Sequence, residues 1–167
     1  MRPSLIPTAL TLALWAGLGR AADLPPTLAG RLDEMAAMCE EVGGQADATR
    51  VVTGGRLDNG TPFWLVDEGN FQCTGASALF SGSGGAQVEV YLRLPDGVQP
   101  VFSHGAFDAK VERNTIWLTV GGPLCGQPGE PSHAESKLCE RPLEWDAKAG
   151  KMAFAPLSRI RPLPPSR

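Results

Sequence analysis

Apolar positions along the chain change their period once. Leu28, Leu32, Met35, Cys39 and Val42 recur at intervals of four, three, four and three, while Arg31, Asp33, Glu34, Glu40 and Glu41 fall mostly elsewhere. That spacing predicts an amphipathic helix with one apolar stripe. Pro25 and Pro26 precede it, Thr27 is the expected N-cap, and Gly43-Gly44 suit a left-handed stop. Beyond residue 50 the period becomes two. Residues 86–94 alternate, with Val88, Val90, Leu92 and Leu94 expected inward and Gln87, Glu89, Tyr91 and Arg93 outward, as in an antiparallel sheet with one wet face.

Turn chemistry divides the rest into short strands. Arg50–Leu57 and Pro62–Val66 flank Asp58-Asn59-Gly60-Thr61, where Asn-Gly tolerates the positive φ of a hairpin. Pro95-Asp96-Gly97 leads into Val98–His104, and Glu112-Arg113-Asn114 into Thr115–Val120. Pro142–Trp145 and Lys151–Phe154 bracket a five-residue loop ending in Gly150. Ser81-Gly82-Ser83-Gly84-Gly85 reads as a flexible loop entering the 86–94 strand; it lacks the Lys and the spacing of a phosphate-binding loop. The fold class expected is α+β: one N-terminal amphipathic helix packed on a twisted antiparallel sheet or open barrel of about seven or eight short strands.

Residues 1–21 have the plan of an export signal: Arg2, an apolar run from Leu5 to Leu18, then small residues at Gly19 and Ala21. That run is shorter than the roughly 20 residues that span a bilayer, and no cysteine stands at the cleavage site, so release to the periplasm or outside is expected. Residues 22–158 would form one domain, and the proline-rich residues 159–167 an extended, mobile tail. Fifteen basic against eighteen acidic residues give −3, and loss of Arg2 and Arg20 with the leader makes it −5. Such a balance argues against nucleic acid as a partner.

Export changes the reading of Cys39, Cys73, Cys125 and Cys139, which become disulfides first. Of three possible pairings, Cys39–Cys73 and Cys125–Cys139 are expected. The first ties the helix stripe to the core beneath it. The second closes a Gly/Pro-rich stretch of about 15 residues, contributing about 3 kcal/mol in the chain-entropy model. Spacings of 34, 52 and 14 residues match no zinc finger or ribbon.

Candidate chemistry is sparse. Asp58 and Asn59, with Asp67, are too few oxygens for a calcium loop, and no cofactor or metal is expected. His104 and His133 are the only histidines, and either beside Asp67, Glu68 or Asp108 would make an envelope hydrolase, the alternative reading. Trp64, Trp117 and Trp145 lie in strand-like segments and read as packing residues. His133 lies inside the Cys125–Cys139 loop with Gln127, Glu130, Pro131, Ser132 and Glu135. A closed loop displaying these residues is a candidate docking element, because preorganisation lowers the entropic cost of binding.

Asp58-Asn59-Gly60, Trp64 to Gly69, Cys73-Thr74-Gly75-Ala76-Ser77 and Phe80 to Gly85 together resemble a group of uncharacterised exported bacterial proteins. In that group an Asp-x-Asn-Gly-Asp-Gly loop, like that of FG-GAP or integrin-type repeats, precedes a Cys-x-Gly segment and a Phe-Cys-Gly-Ser-Gly-Gly-Cys element. Gly122-Pro123-Leu124-Cys125-Gly126 and Leu143-Glu144-Trp145 are similar to its closing segments. Here the second Asp-Gly is missing, and Ser81 and Ala86 replace two cysteines. The resemblance implies export, disulfides and a β-rich fold, and carries no activity. The expected role is a non-catalytic binding or structural module with an envelope protein as partner. Periplasmic lysozyme inhibitors offer an analogy, a short Cys-bracketed loop containing His; the loop here is longer.

Overall fold

A computed structural model describes residues 24–129, 131–132 and 134–163. Residues 1–21, expected to be an export signal, Glu130, His133 and the last four residues lie outside the described residues.

The chain is α+β, with one N-terminal helix packed against open antiparallel sheet. Helix α1 spans Pro26–Glu41, and Pro25, not Thr27, is its N-cap. Pro26 has no amide hydrogen to lose and a φ already suited to the first helical position, so the helix starts there. The Leu28 and Ala29 N–H groups donate to the Pro25 carbonyl at 2.9 and 3.0 Å. Gly43, at φ +75°, turns the chain out, and the Gly44 N–H closes on the Cys39 carbonyl at 2.9 Å. Leu28, Met35 and Cys39 are fully buried, whereas Val42, expected on the same stripe, is 56% exposed beyond the last turn.

Among the described residues twelve strands follow, more than expected because five are short or contain polar residues. They are β1 (Ala46–Asp47), β2 (Val52–Arg56), β3 (Pro62–Asp67), β4 (Gln72–Cys73), β5 (Ser81–Gly82), β6 (Gly85–Leu94), β7 (Gly97–Ala106), β8 (Asp108–Glu112), β9 (Thr115–Gly121), β10 (Leu138–Asp146), β11 (Lys151–Phe154) and β12 (Arg161–Pro162). One sheet runs β2-β3-β6-β7, with β5 also paired to β6. The other runs β8-β9-β10-β11, with β12 also paired to β10. All these pairs are antiparallel. A small β1-β4 pair lies beside the helix end.

The Asp58-Asn59-Gly60 turn forms as expected: Gly60 has φ +83°, and the Thr61 N–H donates to Asn59 Oδ1 at 3.0 Å. Ser81 to Gly85 is not a loop. Gly82 pairs with Gly85 across a two-residue turn, so the segment is a tight hairpin. Residues 159–163 are likewise not free of the fold. Arg161 lies over the Trp117 ring at 3.5 Å and binds Glu112 at 2.7 Å, which holds β12 on the sheet despite Pro162.

Two cores result. Phe63, Leu65, Val88, Val90 and Leu92 of the first sheet meet Ile116, Leu118, Val120, Leu143 and Met152 of the second. The chain passes between sheets at Phe107, whose N–H donates to the Thr119 carbonyl at 2.8 Å. The second core lies on the opposite face of the first sheet, where Leu28, Met35 and Cys39 cover Val51, Val66, Phe71 and Tyr91. Tyr91 was expected outward and is 5% exposed, because the helix covers the face that the alternation leaves for solvent. Each fully buried Leu or Met side chain stabilises by about 1.5–3 kcal/mol relative to exposure.

Candidate functional site

Both disulfides have the expected partners: Cys39 bonds Cys73, and Cys125 bonds Cys139. The second closes the loop over 126–138. Its near end is a short 3-10 turn, Gly122–Cys125, ended by Gly126 at φ +78°. Inside the loop, the Gln127 side chain replaces a strand ladder: Nε2 donates to the Glu135 carbonyl at 3.1 Å, and Oε1 accepts the Lys137 N–H at 2.8 Å. Ser132 Oγ donates to Glu135 Oε2 at 2.7 Å, and the Ser132 N–H reaches the same oxygen at 3.3 Å. The hydroxyl and amide hold the Glu135 carboxyl below its usual range. Ser-x-x-Glu is the pattern of a reciprocal helix cap, and here it builds one turn. That motif, Ser132 to Glu135, was the sequence signal for the bracing. Gln127 and Glu135, expected as contact residues, thus also brace the loop.

The foot of the loop is apolar. Phe107 and Leu138, each 39% exposed, flank Gly121, and Leu157, 45% exposed, lies beside Gly126. Pro131 and Ser136 pack over Gly122. Among the described residues these are three of six exposed large apolar side chains, so half of them gather around one loop base.

The remaining candidates are apart or engaged. Asp58 and Asn59 are in the β2–β3 turn, while Asp67 ends β3, five residues or about 17 Å along the strand from Pro62. Its carboxylate accepts from the Gly69 N–H at 2.9 Å and from Asn70 Nδ2 at 3.0 Å. Strand register does align Asp67, Val88 and His104 in one row. The outer two stand about 10 Å apart with Val88 between them. Among the described residues no carboxylate hydrogen-bonds His104; its ring contacts Phe102 and Phe154, and Nδ1 lies 2.6 Å from the Gly105 carbonyl. Among the described residues, no group of three His, Cys, Asp or Glu is placed to hold a metal ion. No helix among them is long and apolar enough to cross a membrane.

A charged cluster that the alternation of β6 did not reveal joins helix to sheet. The Arg31 guanidinium binds Glu68 and lies 3.7 Å from Glu89, and the Tyr91 hydroxyl donates to Glu89 at 2.8 Å. Burial pushes the Glu68 carboxyl up, and Arg31 only partly offsets it. Burial also raises Asp67, against the pull of the Gly69 N–H, and takes Tyr91 to about 12. Raised carboxyls in a cleft can mark catalysis, but neither Asp67 nor Glu68 lines the cavities near the β8–β9 and β10–β11 turns.

The sign for stability follows from these directions. A carboxyl raised in the fold binds its proton more readily there, so its stabilisation is complete below the unfolded value and fades as pH rises through the folded one. On lowering the pH from neutrality the Asp67 and Glu68 carboxyls should therefore contribute a rise in stability, opposed by the lowered carboxyls of Glu112 and Glu135. Glu68→Gln should flatten that rise; an unchanged slope in calorimetry would contradict the raised carboxyl.

Compared with protein-family models, with curated proteins and with solved structures, the chain matches none.

Proposed function

We propose that this chain is an exported, non-catalytic binding module of the cell envelope that docks another protein through the 126–138 loop and its apolar foot. One observation carries the reading: exposed Phe107, Leu138 and Leu157 surround the base of a loop that is closed by Cys125–Cys139 and braced by Gln127 and Glu135. Protein interfaces combine such an apolar centre with a polar rim. Bracing lowers the ordering cost that a Gly/Pro-rich segment would otherwise bring to association. The export pattern of residues 1–21 and the disulfides support an envelope partner, since disulfides persist in that compartment.

The apolar foot gives the test. Phe107→Ser with Leu138→Ser should weaken partner capture by about thirtyfold, as loss of a central anchor of about 2 kcal/mol does. Far-UV circular dichroism should remain that of the wild type. Full capture by the folded double variant would place the interface elsewhere.

A further inference from the structure

We infer that the cavity between the β8–β9 turn and the C-terminal strand β12 is a binding site for a small organic anion held by its carboxylate or phosphate oxygens. The cavity has a volume of about 360 Å³ and is lined by Glu112, Arg113, Thr115, Trp117, Arg159 and Arg161. That volume lies within the range of small-molecule sites. Three guanidiniums against one carboxylate run counter to a chain whose net charge is −3. Guanidinium is also the side-chain group whose fork of donors matches carboxylate and phosphate oxygens.

The three arginines differ. Arg161 lies over the Trp117 ring and is bound to Glu112, which holds it at the cavity wall. Arg159 is paired with Glu144. Arg113 has no carboxylate partner among the described residues. It occupies φ +47° in a two-residue turn with Asn114 at +66°. Glycine would relieve such a conformation, which a side chain disfavours. Counting Lys110, the neighbourhood holds four cations and the carboxylates of Glu112, Glu140 and Glu144. The uncompensated charge is the one at Arg113, at the cavity.

Arg113 lies beyond the Thr115 end of β9, whereas the loop leaves the Gly121 end, about 20 Å along the strand. Arg159 is two residues from Leu157 of the loop foot, so Arg113→Gln is the variant that separates anion binding from protein docking. Mature protein titrated with glucuronate, glucose 6-phosphate and glucose at low salt should show NMR shifts at the Trp117 indole and the Arg113 amide with either anion and none with glucose. A response to glucose 6-phosphate alone would assign phosphate as the group, and to glucuronate alone, carboxylate. Arg113→Gln should weaken the anion by about tenfold, a charge-assisted contact, with an unchanged melting temperature. Arg159→Gln is the second variant and should weaken it in the same direction. Equal shifts with glucose, no shift with either anion, or full affinity in both variants would overturn the site.

Discussion

Replacing Gly85 by alanine is expected to destabilise the fold by about 3–5 kcal/mol, the range of the most damaging single substitutions. Gly85 opens β6 with φ +92°, which an L side chain rarely adopts. A Cβ there would overlap the carbonyl oxygen of Ala106 and come within 2.9 Å of the Phe107 nitrogen. Those are backbone atoms at the point where the chain passes from the first sheet to the second, so they cannot rotate away. Relief requires β6 and β7 to separate at Ala86 and Ala106, which pair directly. Gly82, its partner in the hairpin, has open space at the same position and no positive φ. Gly82→Ala should therefore stay within about 0.5 kcal/mol of wild type. Urea denaturation of both variants checks the contrast; a Gly85→Ala midpoint close to that of Gly82→Ala would show that the corner yields.

Removal of the helix staple has the second large effect. Cys39→Ala with Cys73→Ala opens a loop spanning 34 positions, worth about 4 kcal/mol in the chain-entropy model. Two buried sulfurs are lost with it, from a core in which Leu28 and Met35 are the other fully buried helix residues. The sheets retain their own core between Phe63, Val90, Leu118 and Met152. Amide exchange should therefore quicken first over Leu28–Glu41, before β6 and β9. Cys125→Ala with Cys139→Ala should cost about 3 kcal/mol and leave helix protection unchanged. Uniform loss of protection in the first variant would mean that helix and sheets unfold as one unit.

Much of the architecture was legible because local signals were strong. The four-three spacing from Leu28 to Cys39 marked the helix, Asn59-Gly60 marked a hairpin, and the alternation from Ala86 to Leu94 marked the central strand. Cys39 on the stripe pointed to a partner beneath the helix, and Cys73 is that partner. What escaped depended on contacts between distant segments. β8 carries Lys110 and Glu112 outward and offers only Ala109 and Val111 to the core, too short a pattern to stand out. β12 contains Pro162 and is held by Arg161 on Trp117, a contact that spans 44 positions. Tyr91 lies on the polar register of its strand and is buried only because α1 covers that face.

The candidate loop was legible as a closed segment, and Ser132-x-x-Glu135 carried a signal for its bracing that Gln127 did not. Gln127 and Glu135 have the polarity of contact residues, yet their hydrogen bonds run within the loop. The apolar foot could not be read because Phe107 and Leu138 are far apart in the chain and meet only at Gly121.

The most direct measurement is a crosslinked pull-down of tagged mature protein from envelope extract, compared with a variant whose residues 127–137 are cut to a short Gly/Ser linker, both quantified by mass spectrometry. The docking reading requires one dominant partner, captured by the wild type and lost by the truncated variant, with the fold of both confirmed by circular dichroism. Undiminished capture by the folded, truncated variant would contradict it.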